Sequence, residues 1–381
     1  MNYFKLMVFI QKGDKDLFGI PVSQQKSFLQ KLGAPRDDID RSFKQYQCQN
    51  LFTKKWKIFL LNISSLILAP ILLLALLTKG LFVRKGASIE AIASFPLEMN
   101  IFPVELLREF KVDDMKWGKG RSLQMSDVSF LMKIFLRGLF HPYFVCKSFY
   151  ILSSYSDMIT KHTPKALLAH CEYSFSSSLL TAYCHKKGVL HINTMHGEKF
   201  FYIRDAYVNF DRFYVWDEHY KNLFAEMNAE PSQFRVFTPM SLKFDCNRYV
   251  NKNSYADFKY YLQICNESEL CQIISILKDL EVEGKTFKLR PHPRYSDMKL
   301  LHKLLDNNHI EVPSEFRIEE SIANSRYVIG SFTTVLNQAY YSGRTAVLDD
   351  VVFKEQYEKL KEIRFVMTEK DTIKLSELMK Q

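Results

Sequence analysis

Short apolar strands alternate with helices from Lys165 onward, and no other feature of the sequence restricts the fold as much. The pattern begins with a strand at Ala166–His170, which is followed by a helix at Phe175–His185. Strands that are separated by helices of about 10 to 15 residues pair in parallel and carry helices on both faces of their sheet. The sequence therefore predicts an α/β fold.

A polar stretch divides this alternation into two parts. Residues 241–256 carry three asparagines, Asn247, Asn251 and Asn253, and strands and helices resume after them. A chain of 381 residues can bury two medium cores, and exposed polar segments are where domains are joined. We predict two Rossmann-like domains, residues 1–240 and 258–381, with 241–257 as the linker.

An apolar run interrupts the N-terminal domain. No charged residue occurs from Ile58 to Leu77, although Pro70 lies inside the run. About twenty apolar residues are enough to cross the hydrocarbon core of a bilayer. A buried core helix is the alternative explanation. We predict that residues 56–82 form a helical segment that associates with a membrane.

The charges around this run indicate its partner. Between Arg41 and Ser88 there are eight basic residues and no acidic one, a pattern that suits anionic lipid. Both flanks are basic, so the positive-inside rule gives no orientation, and a crossing would separate a first predicted strand, Asn2–Ile10, from its domain. We therefore favour a re-entrant or interfacial helix pair, hinged near Pro70, at the inner leaflet on the cytoplasmic face of the inner (plasma) membrane.

Other partners and cofactors find no support in the sequence. The net charge of +10 comes without a zinc finger or a base-stacking motif, so no nucleic-acid partner is expected. Seven scattered cysteines without a Cys-x-x-Cys pair predict neither disulfides nor a metal site. The acidic pair Asp38 and Asp40 follows Pro35 in a polar turn, which favours a helix cap or a solvated turn over a metal site. The N-terminus also lacks a secretion signal.

A histidine between two prolines follows a strand of the C-terminal domain. Thr286–Arg290 reads as a strand, and His292, Pro293 and Arg294 come after it. Parallel sheets bind ligands where their strands end. His292 can donate a hydrogen bond to a phosphate oxygen, and Arg290 and Arg294 can add positive charge. A rigid surface turn is the simpler alternative.

Hydroxyl residues follow the next buried strand. Arg326–Gly330 ends at Ser331, and Thr333 and Thr334 then open an apolar helix. Free N–H groups and the positive end of the helix dipole suit a phosphate at such a position. An ordinary helix cap would need the same residues, so both interpretations stand.

These two motifs resemble those of a known enzyme class. The segments LRPHPR (Leu289–Arg294) and VIGSFTTVLNQAYYSG (Val328–Gly343) resemble the His-Pro and Ser-Ser/Thr motifs of bacterial GT-B glycosyltransferases, notably sialyltransferases and Kdo transferases that use CMP-sugars. They resemble CDP-glycerol glycerophosphotransferases less closely. The resemblance implies a GT-B arrangement of the two domains, a nucleotide sugar as co-substrate, no cofactor, and a glycan or lipid-linked acceptor. It also implies that His292 contacts the nucleotide phosphate.

The general base of such a reaction stays open at this point. His196 and Glu198 flank a glycine after the strand Val189–Thr194, and Glu172 and Asp205 are further carboxylates near strand ends. A solvated turn would explain His196 equally well. Many sialyltransferases use an Asp/Glu-Asp/Glu-Gly motif, which this sequence lacks.

The sequence thus predicts an inverting glycosyltransferase that moves a sugar to a membrane-linked surface glycan such as capsule, O-antigen or lipooligosaccharide. The resemblance favours a CMP-activated sugar of the sialic acid or Kdo type. A CDP-glycerol-type glycerophosphotransferase and a non-catalytic scaffold of a polysaccharide assembly complex are the alternatives.

Overall fold

The computed structural model describes residues 17–97, 100–115, 120–172, 176–251, 254–281 and 284–380. The chain divides into two compact units, Met1–Phe237 and Thr238–Gln381. The strand predicted at Asn2–Ile10 lies outside the described residues. Each unit is built around one parallel sheet, so the prediction of two Rossmann-like α/β domains is confirmed.

Among the described residues, six short strands, all paired in parallel, form the sheet of the first unit. They are β1 (Ala91–Ala93), β2 (Val112–Asp114), β3 (Ala166–Ala169), β4 (Leu190–Thr194), β5 (Arg212–Val215) and β6 (Phe234–Val236). Their order across the sheet is β2-β1-β3-β4-β5-β6. The helices are α1 (Val22–Leu32), α2 (Asp38–Leu51), α3 (Lys55–Gly80), α4 (Val104–Glu109), α5 (Val128–Arg137), α6 (Pro142–His162), α7 (Ser176–Lys186) and α8 (Glu218–Glu226).

In the described part of the second unit, five parallel strands form the sheet. They are β7 (Ala256–Tyr261), β8 (Phe287–Arg290), β9 (Ser325–Gly330), β10 (Thr345–Leu348) and β11 (Ile373–Lys374), in the order β11-β10-β9-β7-β8. The helices are α9 (Glu267–Leu280), α10 (Met298–Leu304), α11 (Ile318–Ala323), α12 (Thr334–Tyr341), α13 (Lys354–Glu362), α14 (Val366–Glu369) and α15 (Leu375–Leu378).

The alternation of strands and helices starts earlier than the sequence indicated. Instead of Lys165, the first strand of the described sheet is β1 at Ala91. All three residues of β1 are buried, so the strand shows no alternation of apolar and polar side chains that could mark it. This strand matters because β2 and β3 lie on its two sides.

The strand order reverses at one place in each sheet. In the first sheet the chain goes from β1 to β2 on one side and then to β3 on the other; in the second sheet β8 and β9 flank β7 in the same way. Ligands of open parallel sheets bind outside the carboxyl ends of the strands at such a switch point. Ligands are therefore expected at the carboxyl ends of β1 and β3 in the first sheet and of β7 and β9 in the second.

The polar stretch predicted as a linker belongs to the second unit. Gln338 of α12 donates a side-chain hydrogen bond to the carbonyl of Ser241 at 2.9 Å, and the Phe244 N–H donates to Oγ of Ser342 at 3.1 Å. The stretch is thus held against the end of α12 before β7 begins at Ala256.

The apolar run forms one 26-residue helix, α3, which continues through Pro70, so the predicted helix pair hinged near this proline is wrong. By length and composition, α3 is a candidate membrane span among the described residues. One stripe of α3 packs against α6. Leu61, Ser65 and Leu76 are buried on this stripe. Gly80 lies so close to the backbone of Leu123 that an added Cβ would be 1.9 Å from the Leu123 carbonyl oxygen. Only 22% of the most apolar window of α3 is buried, so most of the helix is not a core helix.

The acidic pair at the start of α2 acts structurally. Asp37 is the N-cap of α2, and its side chain accepts from the Asp40 N–H at 2.7 Å. Asp40 is buried and accepts from Arg137 at 2.6 Å. The helix-cap interpretation of this turn is confirmed, and Asp40 adds a link between α2 and α5.

A buried ion pair lies inside the second unit. Glu311 accepts from Lys259 at 2.6 Å and from Arg290 at 2.7 Å, and all three side chains are buried. Burial alone would raise the pKa of Glu311, but the charge and hydrogen bond of Lys259 hold it below its usual value. The carboxylate is therefore the counter-charge for two buried cations.

Replacement of Glu311 tests this pair. Glu311→Ala leaves Lys259 and Arg290 buried without a counter-charge, so we expect a loss of about 3 to 5 kcal/mol in the free energy of unfolding. Urea denaturation followed by circular dichroism measures it. Glu315→Ala removes an exposed glutamate nearby and is expected to change stability by less than about 0.5 kcal/mol. Equal effects of the two substitutions would contradict the ion-pair account.

Candidate functional site

Aromatic side chains meet at the switch point of the first sheet. Phe95 follows β1, His170 follows β3 and His196 follows β4. The His170 ring lies 4.6 Å from the His196 ring, edge to face, and 5.0 Å from the Phe95 ring. Parallel pairing of β1, β3 and β4 brings these three positions together at one edge.

Glu172 is a buried anchor of this edge. It is fully buried, and its carboxylate accepts from the backbone N–H of His196 at 3.1 and 3.3 Å and from the side chain of Asn193 at 3.3 Å. It also forms an ion pair with Lys199 at 2.5 Å. With its oxygens engaged in this way, Glu172 fixes the loop that carries His196.

Lys199 joins two of the predicted carboxylates. Its ammonium lies 2.5 Å from Glu172 and 3.5 Å from Asp205, and Lys199 and Asp205 are both buried. Burial alone would lower the pKa of Lys199, but Asp205 and Glu172 raise it above its usual value. The lysine stays charged and neutralises its partners. The sequence analysis missed Lys199, although it stands in the same strand-end loop as His196.

His170 was predicted to end a strand but was not predicted as a site residue. Its Nδ1 lies 2.9 Å from the carbonyl oxygen of Thr194. Because a carbonyl only accepts hydrogen bonds, Nδ1 carries the proton and Nε2 keeps its lone pair. Burial lowers the pKa of His170 to about 4, with Lys199 acting in the same direction and Thr194 partly opposing. The ring is neutral at pH 7.

His196 and Glu198 are the accessible members of the predicted set. His196 is exposed, and Glu198 is half-buried and accepts from the Tyr220 hydroxyl at 2.9 Å. Gly197 between them has φ of 73°, and an added Cβ would meet nothing within 4 Å. Glycine is thus favoured here by the left-handed backbone rather than by a close approach. Of the four predicted base candidates, the exposed His196 is the one best placed to reach a substrate.

In the second unit, His292 is held in one tautomer at the carboxyl end of β8. Its Nδ1 accepts from the Arg294 N–H at 3.1 Å, and its backbone N–H donates to Oγ of Ser296 at 2.8 Å. The ring stacks on Tyr295 with 4.5 Å between centroids. A neutral ring that accepts at Nδ1 carries its proton on Nε2. His292 therefore presents a hydrogen-bond donor, while Pro293 and Arg294 are exposed beside it.

Arg290 points away from this position. Its guanidinium donates to Glu311 at 2.7 Å and to the carbonyl of Phe316 at 2.8 Å, and it is buried. The structure does not bring this predicted phosphate contact to His292. Its charge is already neutralised by Glu311.

The hydroxyl residues after β9 form a second polar set. The Ser331 hydroxyl is buried and donates to the side-chain oxygen of Gln356 at 2.8 Å, which also accepts from Gln263 at 2.7 Å. Gln263 follows β7, so this network links the ends of the two strands at the switch point. Neither glutamine was singled out in the sequence, because both gain a role only through strand pairing.

Thr333 and Thr334 begin α12. The Thr333 hydroxyl accepts from the Val335 N–H at 3.3 Å and caps the helix. Within the described part of the chain, the backbone N–H groups of Thr333 and Thr334 have no hydrogen-bond partner. They remain available to an anion at the positive end of the helix dipole.

His292 and Ser331 follow the two strands that flank β7. Neighbouring strands lie about 4.8 Å apart, so the two strand ends are roughly 10 Å apart. A donor on one side and free N–H groups on the other thus face the end of β7. Among the described residues, no group of three or more His, Cys, Asp or Glu side chains is arranged to hold a metal ion.

Comparison with known proteins gives remote structural similarities only. No family model matches the sequence, and no curated protein matches it. The UDP-GlcNAc 2-epimerase from Methanocaldococcus jannaschii aligns over 77% of this chain and 91% of its own, with 15% identity and a TM-score of 0.46. The lipopolysaccharide outer core galactosyltransferase WaaB aligns over 69% of this chain and 80% of its own, with 11% identity and a TM-score of 0.38.

A variant of the wall teichoic acid polymerase TagF aligns over 72% of each chain, with 10% identity and a TM-score of 0.36. At such identities and TM-scores, nothing about activity passes from these proteins to this chain. Its fold is established by its own two sheets, and its function has to be argued from its own residues.

The low pKa of His170 predicts a pH effect on stability. An unfolded histidine titrates near about 6.5, whereas folded His170 titrates at about 4, so the unfolded state binds more protons between these values. Stability therefore falls as the pH drops through this window, by about 2 kcal/mol between pH 7 and pH 5 from this residue. Buried His191, with a pKa lowered to about 3, adds an effect of the same sign.

Urea denaturation at pH 7 and pH 5 measures this loss. His170→Gln removes the titrating group, so we expect the variant to lose about 2 kcal/mol less than the unaltered protein over this interval. His302→Gln, at an exposed histidine of the second unit, should leave the pH dependence unchanged. The same loss in His170→Gln as in the unaltered protein would contradict a buried, neutral His170.

Proposed function

We propose that the protein is an inverting glycosyltransferase of GT-B type, which transfers a sugar from a nucleotide donor to a membrane-linked surface glycan. The observation that carries the proposal is that each sheet presents suitable chemistry at its switch point. Hydrogen-bond donors for a phosphate lie at the end of β8 and the start of α12, and an accessible histidine lies at the end of β4. The resemblance of the two C-terminal motifs to those of GT-B transferases supports the same assignment.

The second unit would hold the donor through its phosphate. His292 supplies a donor at Nε2, and the N–H groups of Thr333 and Thr334 supply two more at the positive end of α12. Arg294 is exposed next to His292 and adds positive charge. These groups also stabilise the negative charge that builds up as the nucleotide leaves. Ser331 keeps the loop in place through Gln356 rather than needing to touch the donor.

The first unit would supply the base. His196 takes the proton of the acceptor hydroxyl, whose oxygen attacks the anomeric carbon, while the bond from that carbon to the phosphate oxygen breaks. Direct displacement of this kind inverts the configuration. His170 acts as a positioning residue, because a pKa of about 4 is too low for an efficient base near neutral pH. Its neutral ring also avoids repulsion of the imidazolium that forms on His196.

The buried network of Glu172, Lys199 and Asp205 would hold the His196 loop during this step. Glu172 binds the His196 backbone, and the ammonium of Lys199 compensates both carboxylates. We therefore assign Glu172 and Asp205 to positioning the His196 loop. Glu198, which accepts a hydrogen bond from Tyr220, stays a second candidate for the general base.

The identity of the donor and the location of the protein are each proposed from one feature of the sequence. The motif resemblance supports a CMP-activated sugar of the sialic acid or Kdo type as co-substrate, with no cofactor. The basic, apolar segment supports work at the inner leaflet, on the cytoplasmic face of the inner membrane, where lipid-linked glycans are extended. The His-Gly pair at the end of β4 favours a second candidate, polyol-phosphate transfer from a CDP donor, because glycerophosphotransferases carry such a pair.

Nucleotide binding tests the donor site. We expect CMP or CDP to raise the melting temperature of detergent-purified protein more than UDP or GDP does. His292→Ala should weaken this binding about tenfold or more, because it removes a hydrogen bond to a charged group. His302→Ala removes an exposed histidine of the same unit and should bind as the unaltered protein does. Preference for UDP or GDP would overturn the cytidine donor, and the absence of any response from folded protein would favour the scaffold.

Turnover tests the base and separates the two transfer reactions. His196→Ala should lower kcat by about 10²- to 10⁴-fold while leaving nucleotide binding unchanged, and His185→Ala, an exposed histidine of the same unit, should retain activity. Mass spectrometry of the acceptor distinguishes a gained sugar from a gained polyol phosphate. Full activity of His196→Ala would remove this residue from the mechanism.

A further inference from the structure

A broad apolar surface of the first unit is left uncovered. The side of α3 opposite to its buried stripe carries Leu66, Ile67 and Leu74, which are 65%, 65% and 69% exposed. Large apolar side chains are rarely so exposed over a whole helix face in a soluble protein. Further exposed apolar residues on this helix are Trp56, Phe59, Leu60, Ile63 and Ile71.

Helix α5 carries a second set of exposed apolar residues close to α3. The Leu123 N–H, just before α5, donates to the Leu76 carbonyl of α3, and Asn62 of α3 accepts from the Tyr143 N–H just after α5. Both ends of the segment that contains α5 are therefore hydrogen-bonded to α3. Exposed apolar residues on and after α5 are Met132, Phe135, Leu136, Leu139 and Phe140. We call these residues, together with the exposed residues of α3, the α3/α5 apolar face.

The chain on both sides of α3 folds into the same unit. Before α3, Arg41 forms an ion pair with Glu230 at 2.9 Å, and Gln49 donates to the carbonyl of Arg204 at 3.4 Å. After α3 comes β1, inside the same sheet. A single membrane crossing by α3 would put these packed segments on opposite sides of a bilayer. The packing therefore argues against a single crossing and favours a helix that lies along the membrane surface.

Positive charge surrounds the α3/α5 apolar face. Lys55 stands at the start of α3, Lys79 at its end and Lys85 shortly after it, and all three are exposed. No acidic residue occurs from Arg41 to Ile89. Apolar helices with basic flanks bind anionic lipid at the bilayer interface. A second copy of the chain would instead bring these positive flanks together, which disfavours self-association through this face.

We propose that the α3/α5 apolar face docks onto an anionic bilayer surface with α3 lying in the membrane plane. The apolar side chains enter the boundary between headgroups and acyl chains, and the lysines stay at the level of the lipid phosphates. The docking does not depend on the chemistry of transfer.

The docked orientation also indicates the class of acceptor, and this part rests on the proposed function. The Phe52 ring, just before α3, contacts the Tyr202 ring at 4.5 Å, and the nearby Asp205 pairs with Lys199 of the candidate site. The start of α3 therefore lies beside the carboxyl edge of the first sheet. An acceptor anchored in the docked bilayer would reach His196 from this side, so the acceptor would carry a lipid tail.

Vesicle flotation tests the docking. The full chain should float with vesicles that contain phosphatidylglycerol, and Leu66→Glu/Leu74→Glu should bind at least about tenfold more weakly, because two leucines leave the apolar phase. Met240→Glu/Val250→Glu replaces two apolar residues of the second unit that are 66% and 56% exposed and should bind like the unaltered protein. Equal binding by the two double variants would overturn the proposed face.

Substitution of the three lysines that flank α3 is a second test of the docking. Lys55→Gln/Lys79→Gln/Lys85→Gln should weaken binding to phosphatidylglycerol vesicles by about fivefold per charge, with less effect on pure phosphatidylcholine. Lys299→Gln/Lys361→Gln/Lys380→Gln, at exposed lysines of the second unit, is the matched control. An equal loss in the control would show that net charge, and not this face, governs binding.

Two further outcomes would each overturn the proposal. Retention in membranes after alkaline carbonate washing would indicate a spanning helix, and light scattering of a lipid-free dimer that Leu66→Glu/Leu74→Glu dissociates would indicate a second copy on this face. Nucleotide binding of Leu66→Glu/Leu74→Glu in detergent should match the unaltered protein. This readout separates a failure of docking from a failure of the proposed transferase function.

Discussion

Parallel pairing of the strands that the structure describes is the constraint on which the rest of the fold depends. Because all strands of a sheet run in the same direction, their carboxyl ends meet at one edge, and residues far apart in the chain become neighbours there. His170 and His196 come together in this way in the first unit, and Gln263 and Ser331 are linked through Gln356 in the second. The topology, rather than any local motif, assembles both candidate sites.

Buried ion pairs then hold the chain next to these edges. Glu172 is neutralised by Lys199 while it binds the backbone of the His196 loop. Glu311 plays a comparable part beside β8, where it neutralises Lys259 and Arg290. A buried charge is tolerated only with its partner in place, so each pair restrains the loop or strand to which it belongs. The exposed His196 and the half-buried His292 can then be presented in defined positions.

The sequence was sufficient for the features that depend on local pattern. Strands ending at Arg290, Gly330 and Thr194 were predicted within a residue of their observed bounds, because each has a clear apolar pattern. The short strands β1 and β2 were missed, since three residues give no periodicity. The site residues Lys199 and His170 were missed, and Arg290 was expected at the phosphate, because the contacts that decide their roles join distant positions of the chain.

The apolar helix α3 was predicted in part from the sequence and in part required the structure. Its length and its basic flanks were evident in the sequence, whereas the choice between crossing and lying on a membrane needed the packing of α2 and β1 into one unit. The same packing places the start of α3 near the His196 edge, so the surface proposed to dock on the bilayer and the edge proposed to receive the acceptor belong to one unit.

Hydrogen–deuterium exchange of the full chain, with and without saturating cytidine nucleotide, tests whether the donor binds at the carboxyl ends of β7, β8 and β9. We expect slower exchange at 262–266, 291–296 and 331–336, the segments that follow these strands, with little change in α9. Slower exchange confined to other segments, from protein shown to bind the nucleotide, would contradict the placement of the donor at this switch point.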